Sequence, residues 1–477
     1  MPERSHPTTM KDSPEMTTRR RWIWLVVALI LGLTTPAAVL PATQQVVAAF
    51  VNAAVVPMDS DRVILRQVVI VRGGQIEAVG SDLRVPSGAI VIDAHERFLV
   101  PGLADMHVHL PAPDAPTGRS EDELFLYVAN GVTTVRSMAG FDSHIALREK
   151  VREGQIIGPT MYLAGPGLDG GRVKSPEDGV REVRAQKQRG YDVVKVLPGL
   201  SLASYDAIAA TARDVRLPFA GHVPPDVGIQ HVIEQGQATI EHLDGYLELL
   251  KGRTPLSDEA FVPIVAKTTS AGVRNVPTMA VMAANVGAIE TTELLARPEL
   301  RYIAKDYIDH WLLLRARTNI PRNTADVIQA NRMRLLKALS ASGATILFGT
   351  DSPQLFNAPG FSIVREMQMM ADAGLTRYEV LRSATVQAGA FFNRPCGTIT
   401  PGACADLVLL DGNPLHDLRS FNRIHGVMLR GRWLPRADID RRLDRIERSP
   451  DNYKLLSRTK PARFGHRTTR MRLVTSM

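Results

Sequence analysis

The 477-residue chain contains few cysteines, a single long apolar run and no net charge outside its C-terminal end. Two cysteines cannot build a disulfide framework, and one apolar run excludes a protein with several membrane spans. Hydrophobic residues make up 45% and charged residues 22% of the chain. This balance is typical of a folded globular protein and excludes a disordered, collagenous or coiled-coil chain.

The excess positive charge lies in the last 37 residues of the chain. Residues 441–477 hold 11 of the 57 Lys+Arg and 3 of the 49 Asp+Glu, which leaves 46 of each sign in the first 440 residues. A nucleic-acid-binding protein would carry basic residues across a folded face, so no nucleic-acid partner is expected. We expect 441–477 to be a solvated basic tail, with attraction to an anionic membrane or polymer as the alternative.

The two cysteines flank a short turn. Cys396 and Cys404 stand on either side of residues 397–403, which contain the turn-forming pair Pro401-Gly402. In a hairpin around this turn they would not lie directly opposite each other. We therefore expect two small buried thiols, with a disulfide as the alternative.

The N-terminus has the organisation of an export signal. Three arginines at 19–21 precede the apolar run 22–33, and small residues follow through Ala42. The run is short for a bilayer-spanning helix, which needs about 20 residues. We predict that residues 1–42 are a signal peptide and that the protein is exported. A retained N-terminal membrane anchor is the alternative.

The rest of the chain predicts an α/β fold with two parts. Short β-branched runs with glycine turns occur before residue 100 and return after residue 405. Between them, eight short apolar segments alternate with helical stretches, which is typical of a (β/α)8 TIM barrel. We predict a barrel at 99–395 and a small β-sandwich domain built from 43–98 and 396–440. A doubly wound open sheet is the competing topology.

The eight predicted barrel strands carry chemistry at their ends. Side chains alternate across a strand, so His107 and His109 in the first strand point the same way. Alone, such a pair is weak evidence for a metal site. The predicted strands end near His109, Arg136, Ala164, Leu197, His222, His242, Thr278 and Thr350.

Four further residues strengthen the metal hypothesis. Lys195 lies inside an apolar strand, where desolvating an ammonium group costs several kcal/mol. It therefore needs a changed chemical state or a partner, such as a structural salt bridge. His222, His242 and Asp351 end the fifth, sixth and eighth predicted strands. Barrel enzymes place their active sites at the C-terminal ends of the strands.

These residues resemble the metal-binding set of the amidohydrolase superfamily, and within it the imidazolonepropionase-like and metal-dependent dipeptidase (prolidase-like) group. The segments 98–103, 131–136 and 397–408 also resemble that group, and the resemblance spans roughly residues 48–439. It implies two divalent metal ions, for which zinc is suited and iron, manganese or cobalt are alternatives.

The resemblance also implies a role for each residue. It implies that His107, His109 and Asp351 bind the first ion and that His222 and His242 bind the second. A carboxylated Lys195 would bridge both ions. A hydroxide bridging the two metals would attack the carbonyl, with Asp351 as the catalytic proton shuttle to the leaving nitrogen.

The expected function is therefore a binuclear metal-dependent amidohydrolase that cleaves amide C–N bonds in small molecules, with dipeptides or N-acyl amino acids as the expected substrates. A lactonase, a cyclic-amide hydrolase of the imidazolonepropionase type and a deaminase are alternatives on the same scaffold. The resemblance disfavours a deaminase, because the mononuclear deaminases generally lack the bridging lysine. A non-catalytic scaffold would have little reason to retain all six residues.

Some expectations rest on position alone. Arg136 and Tyr246 are candidate substrate contacts, and His144 lies where it could reach a substrate. The sequence is compatible with either a monomer or a homo-oligomer. Membrane contact is expected only through the leader or the basic tail. The remaining histidines are expected to be structural or on the surface; they are His95, His231, His310, His416 and His425.

Overall fold

The computed structural model describes residues 46–116 and 118–454. The predicted leader and the part of the predicted tail after residue 454 lie outside the described residues. No helix in the described ranges combines the length and the apolar character needed to cross a bilayer.

The described strands divide into one mixed sheet and two parallel sheets. In chain order they are β1 (Val47–Val55), β2 (Ile64–Arg72), β3 (Gln75–Gly80), β4 (Ile90–Asp93), β5 (Phe98–Pro101), β6 (Leu103–Val108), β7 (Val132–Ser137), β8 (Thr160–Leu163), β9 (Val194–Val196), β10 (Phe219–Gly221), β11 (Thr239–Glu241), β12 (Arg274–Val276), β13 (Leu407–Leu410), β14 (Ile424–Leu429) and β15 (Arg432–Pro435).

Helices follow most of the parallel strands, which gives the α/β pattern that the sequence predicts. They are α1 (Arg119–Ala129), α2 (Asp142–Arg152), α3 (Pro176–Arg189), α4 (Leu202–Asp214), α5 (Ile229–Glu234), α6 (Tyr246–Leu249), α7 (Val262–Ser270), α8 (Met279–Val286), α9 (Thr291–Leu295), α10 (Lys305–Arg317), α11 (Arg322–Ala341), α12 (Ile363–Asp372), α13 (Arg377–Ser383), α14 (Val386–Phe391) and α15 (Arg436–Glu447). Three 3-10 helices add Asp258–Phe261, Pro298–Tyr302 and Leu418–Asn422.

The mixed sheet joins strands from both ends of the described chain. Its order is β15-β14-β13-β5-β1-β2-β3, with β4 also paired to β1. Phe50 of β1 and Trp433 of β15 pack edge to face, with ring centroids 5.3 Å apart. Aromatic packing of this kind adds to the free energy gained by burying the rings. The two β-branched regions of the sequence therefore form one β-sheet domain, and β5 crosses the predicted boundary at 98/99.

The hairpin between β2 and β3 depends on two glycines. Arg72 pairs with Gln75 across the turn, and Gly73 and Gly74 both have positive φ, 57° and 82°. A two-residue hairpin turn of this kind needs positive φ at both positions, which glycine adopts without steric cost.

Seven of the eight predicted barrel strands form regular parallel ladders. One sheet has the order β6-β7-β8 and the other β12-β11-β10-β9. Isolated parallel bridges join Ala164 to Val193 and Leu168 to Val196, between β8 and β9. All seven strands therefore run in the same direction, with their C-terminal ends on one edge.

The eighth predicted strand is present only as isolated bridges. Parallel bridges join Ile346 to Asn275, in β12, and Ser352 to Val108, in β6. The ladder is interrupted because its backbone donors go elsewhere: the N–H of Phe348 donates to a carbonyl outside the sheets, and the N–H of Thr350 donates to the Asp105 carboxylate.

The expectation of two free, buried thiols was wrong. Cys396 and Cys404 form a disulfide, with their Cα atoms 4.8 Å apart. The chain turns back at Thr400, whose carbonyl accepts from the N–H of Ala403, and the N–H of Cys404 donates to Pro395 O at 2.8 Å. This tight return, rather than a regular hairpin, places the two side chains opposite each other.

The first part of the predicted basic tail is also not a solvated segment. α15 extends past residue 441 to Glu447, packs against α1 and buries Ile439, Leu443 and Ile446. These side chains recur at helical spacing, so they share one face of the helix. The guanidinium of Arg442 lies 4.4 Å from the centroid of the Phe125 ring.

Candidate metal centre

Six polar residues at strand ends carry the candidate site. His107 lies in β6 and Lys195 in β9, while His109, His222 and His242 directly follow β6, β10 and β11. Asp351 lies in the bridged segment beside β6, where its N–H donates to His107 O at 2.7 Å. All of these positions fall at the C-terminal ends of parallel strands, as the sequence predicted.

His107, His109 and Asp351 form a compact group. Their nearest ligand atoms all lie within 4.8 Å of one another. Oδ1 of Asp351 lies 2.8 Å from Nε2 of His109 and 3.4 Å from Nε2 of His107. Two imidazoles and one carboxylate at these separations form a donor set that suits a divalent transition metal.

The remaining histidines continue the group. The ring centroids of His107 and His242 are 4.6 Å apart, and those of His242 and His222 are 4.8 Å apart. Nδ1 of His242 lies 4.0 Å from Oδ2 of Asp351. The structure thus brings all four histidines and Asp351 together.

Each of three imidazoles is held through Nδ1. Nδ1 of His107 lies 2.7 Å from Glu241 Oε2, and Nδ1 of His222 lies 2.5 Å from Asp244 Oδ2. A carboxylate accepts, so Nδ1 carries the proton and Nε2 keeps its lone pair in both rings. This is the arrangement of metal-ligating histidines, whose other nitrogen is fixed by a hydrogen-bond partner. Nδ1 of His242 lies 2.7 Å from the Thr278 hydroxyl.

Two buried polar atoms within this group have no hydrogen-bond partner among the described residues: Nε2 of His107 and Nζ of Lys195. Buried polar groups are rarely left unpaired in a folded protein. Such atoms therefore indicate a missing ligand, and a bound cation would satisfy the imidazole nitrogen. The donor set fits a metal on this ground as well as by composition.

Burial keeps these bases neutral. Burial, with a smaller effect of the neighbouring Lys195, lowers the pKa of His107 to about 4. Burial also lowers the pKa of His242 well below its ordinary value. The pKa of Lys195 is lowered by burial, against the opposing charges of Glu241 and Asp351. Metal ligation requires unprotonated imidazole, and a lowered lysine pKa makes the neutral amine available.

Asp351 remains a carboxylate. Burial alone would raise the pKa of Asp351, but the hydrogen bond that it accepts from His109, together with the basic side chains of His107 and Lys195 beside it, outweighs burial and lowers it. Its backbone has a φ of 58°, and His242 and Thr278 also have positive φ, 59° and 44°. Positive φ is strained in residues other than glycine and concentrates at functional sites.

Sequence reasoning missed the residues that hold the histidines. Glu241 is fully buried and accepts from Arg136 Nη2 at 2.8 Å, besides holding His107. An acidic residue inside an apolar strand is the same signal that singled out Lys195 and could have identified it. Asp244 and Thr278 lie in loops, where the sequence gives no comparable signal.

The prediction that Arg136 and Tyr246 contact the substrate was wrong. Arg136 is fully buried; its Nε donates to Met106 O at 2.7 Å and its Nη2 is bound to Glu241. Tyr246 is also fully buried, and its hydroxyl lies 3.0 Å from both the Thr268 hydroxyl and Asn275 Oδ1. Both point into the protein interior because they pair with buried polar groups there.

The other histidines do not join the group. His144 is buried, and its Nε2 lies 2.9 Å from Pro111 O, so it orders a loop. His231 pairs with Asp206 at 2.6 Å. His95 and His425 lie near Asp93 and Asp411, while His310 and His416 are exposed.

Two cavities open beside the end of the group that holds His222 and His242. One, of about 680 Å³, is lined by residues of the loop after β10, including Val223 and Pro225, and by Asp244. The other, of about 540 Å³, is lined by Leu243, Asp244 and residues of α8 and α11. Both have the size of small-molecule sites.

The chain is similar to known proteins over most of its length. It is 24% identical over 432 residues to ochratoxinase from Aspergillus niger, covering 75% of this chain and 80% of that protein. Solved structures with a similar fold include the following two. A bottromycin amidohydrolase has a TM-score of 0.67 and 22% identity, covering 84% of this chain and 90% of that one. A putative prolidase from Bifidobacterium longum has a TM-score of 0.64 and 21% identity, covering 84% and 99%.

The Amidohydrolase family model matches residues 98–434, a range that includes all six predicted site residues. The resemblance that the sequence motifs carry is confirmed by this match. The chain therefore belongs to the amidohydrolase family and is a hydrolase that acts on carbon–nitrogen bonds.

Proposed function

We propose that the protein is a binuclear metal-dependent amidohydrolase that cleaves amide bonds of dipeptides or N-acyl amino acids. One observation carries the proposal: His107 Nε2 and Lys195 Nζ are buried without partners at the end of the barrel strands that also presents three more histidines and Asp351. Buried unpaired atoms of this kind are costly unless a ligand satisfies them.

The scaffold is, by the same inference, a closed (β/α)8 barrel joined to a β-sandwich domain. The two parallel sheets and the bridges at Ala164, Ile346 and Ser352 link eight consecutive segments in a ring. The mixed eight-stranded sheet would form the sandwich domain, with parts at 43–98 and 396–440.

Four histidines and Asp351 would hold the ions, besides Lys195. His107, His109 and Asp351 would bind the first ion, and His222 and His242 the second. Imidazole and carboxylate ligands suit zinc, and iron, manganese and cobalt accept the same donors. Two divalent ions bound there would lower the pKa of the attacking water and polarise the substrate carbonyl.

Lys195 would act as a carbamate. Its buried, unpartnered amine has a lowered pKa, and a neutral amine can add carbon dioxide through its lone pair, losing one proton in the step. The resulting carboxylate supplies two oxygens and a negative charge, which would bridge both ions. An ammonium group in a salt bridge is the competing state, but no salt bridge involves Lys195 among the described residues.

Asp351 would carry the proton. It remains ionised, since its pKa is lowered, and it lies against His107 and His109. From this position its carboxylate can accept a proton from the attacking water and deliver it to the leaving nitrogen.

The substrate class is supported by the relatives' names. Among the structures with the same fold are a putative prolidase and a Xaa-Pro dipeptidase, the latter with a TM-score of 0.63. Dipeptides and N-acyl amino acids share an amide flanked by an amino acid. A lactonase or a cyclic-amide hydrolase would use the same metal chemistry and is the second candidate.

The protein is also proposed to act outside the cytoplasm, through the leader at 1–42. The Cys396–Cys404 disulfide supports this, because disulfides persist mainly in oxidising compartments.

Metal analysis combined with substrate screening tests the proposed function. The purified protein should contain two transition-metal ions per chain and should hydrolyse members of a dipeptide and N-acyl amino acid library. His107→Ala should lose one or both ions together with activity. Active wild-type protein without bound metal would refute the metal proposal, and turnover of lactones or cyclic amides alone would favour the second candidate.

A further inference from the structure

Arg332 is a buried cation with few partners. It lies in α11, and only 4% of it is exposed. Its Nη2 donates to Pro277 O at 3.1 Å, while its Nε has no hydrogen-bond partner among the described residues. No salt bridge joins it to a carboxylate among the described residues, and the charges of Asp244, Glu248 and Glu366 act on it only from farther away. Buried charges are normally paired, so this guanidinium indicates a missing anion.

The buried Arg136 provides a contrast within the same protein. Its guanidinium donates to Met106 O, to the Thr239 hydroxyl and to the Glu241 carboxylate. The nitrogen atoms of Arg136 all donate to groups of the protein, so none is left to bind a ligand. Arg332 has only a carbonyl partner and keeps most of its donors free.

Arg332 lines the cavity of about 540 Å³ beside the candidate metal centre. Leu243 and Asp244, in the same lining, directly follow His242, and the Asp244 carboxylate holds His222. Pro277, which accepts from Arg332, directly precedes Thr278, the partner of His242. The guanidinium is thus hydrogen-bonded to the loop that orients His242 and shares a cavity wall with the loop that orients His222.

The rest of the lining favours an anion attached to an apolar group. Val286 and Ile328 give the wall an apolar surface, while the exposed Lys251 and Arg253 add positive charge at the rim. Two acidic residues also line the cavity. Asp244 is engaged by His222, and Glu248 is exposed, so neither forms a salt bridge with Arg332.

We propose that Arg332 binds the free α-carboxylate of the substrate, so that the preferred substrates are amides whose amine part is an α-amino acid. This rests on the proposed function and names its substrate class. A guanidinium can donate two parallel hydrogen bonds to a carboxylate, which an ammonium group cannot reproduce. Dipeptides and N-acyl amino acids both carry this group, whereas their carboxamides and neutral lactones do not.

The test compares an N-acyl amino acid with its carboxamide as substrates of the metal-loaded enzyme. We expect wild-type kcat/KM to favour the acid by about 10- to 100-fold, the range for a charge-assisted hydrogen bond. Arg332→Met should abolish this preference, and Arg332→Lys should restore part of it. Lys337→Gln removes an exposed charge from the same helix, outside the cavity lining, and should leave the preference intact.

Several outcomes would overturn the inference. Wild-type enzyme that hydrolyses acid and carboxamide equally well would refute the role of Arg332 while leaving amide hydrolysis standing. Loss of the preference in Arg253→Gln but not in Arg332→Met would assign the carboxylate to the rim. Thermal unfolding shows whether Arg332→Met folds. If it does not, Arg332→Lys, which keeps the positive charge, takes its place: a preference smaller than that of the wild type supports the inference, and an unchanged preference contradicts it.

A binding measurement can test the role of Arg332 even if the proposed amide hydrolysis is wrong. If no amide is hydrolysed, the proposed function fails, and calorimetry with an N-acetyl amino acid and its carboxamide still tests Arg332. Binding of the acid that is lost in Arg332→Met supports the inference. Equal binding of acid and carboxamide to the wild-type protein contradicts it.

Discussion

Nδ1 of His222 lies 2.5 Å from Oδ2 of Asp244, which follows it by 22 residues in the loop after another strand. The contact fixes the imidazole orientation and leaves the lone pair of Nε2 available, in a ring whose centroid lies 4.8 Å from that of His242. His107 has the same relationship with Glu241. In both rings a carboxylate fixes the tautomer that can bind a metal.

Asp244→Asn should weaken the second-ion site without removing a proposed ligand. The neutral amide polarises the His222 ring less than the carboxylate, so affinity for that ion should fall about 10- to 100-fold. Chelator competition measures the change. Asp226→Asn alters an exposed acid of the neighbouring loop and should have no effect. Unchanged affinity in Asp244→Asn would show that the His222 contact is not part of a metal site.

Lys195→Ala tests the carbamate. Without the bridging anion the two ions would repel each other, so occupancy of the paired site and activity should both fall. A small carboxylate at high concentration should restore part of the rate by occupying the vacated space. An ammonium in a salt bridge predicts no such rescue. An alanine variant that keeps both ions and most of its activity would exclude the bridging role.

Asp351→Asn tests proton transfer. Asparagine tolerates the left-handed backbone that Asp351 adopts, so the fold should persist. The amide cannot take up a proton, and kcat should fall about 10²- to 10⁴-fold. Metal content measured on the same sample separates this effect from loss of an ion. A variant with near-normal kcat would remove Asp351 from the proposed role.

Two C-terminal truncations should behave differently. Removing 455–477 should leave activity and stability unchanged, because every site residue and all of α15 remain. Removing 441–477 also deletes Leu443 and Ile446, whose burial against the rest of the chain is lost. Truncating a buried Leu or Ile to Ala lowers the free energy of unfolding by about 2–5 kcal/mol. The thermal midpoint should therefore fall. Equal midpoints would show that α15 contributes nothing to stability.

Glu123 should make stability depend on pH. Burial raises its pKa from 4.5 to about 8 in the folded protein. Between these values the folded state binds more protons than the unfolded state, so its contribution to stability is lost as pH rises from about 4.5 to about 8. Glu123→Gln should flatten this dependence in urea unfolding, and Glu121→Gln, exposed on the same helix, should not. An unaltered pH profile in Glu123→Gln would contradict the raised pKa.

The position of the candidate site could be read from local patterns. His107, His109, His222 and His242 each stand at or just after an apolar strand-like segment, and Asp351 follows another. Parallel strands bring their C-terminal ends to one edge whatever the distance between them in the chain. Local hydrophobic patterning was therefore enough to assemble the set.

Local patterns could not determine side-chain partners. Glu241 reaches His107 across 134 residues, and Arg136 reaches Glu241 across 105. Because Arg136 pairs inward, it is unavailable to a substrate, contrary to the sequence-based expectation. The tight return between Cys396 and Cys404 likewise depends on backbone hydrogen bonds that no spacing rule specifies.

The sequence by itself determined the strand and helix pattern, the family and the set of metal-competent residues, since each follows from residue type at a fixed local spacing. The tertiary structure alone decided which polar groups find partners. It satisfied Arg136 and left Arg332, Lys195 and Nε2 of His107 with unpaired buried atoms. The physical reason is that a hydrogen bond needs atoms within about 3 Å, and that proximity is set by the packing of strands and helices far apart in the chain.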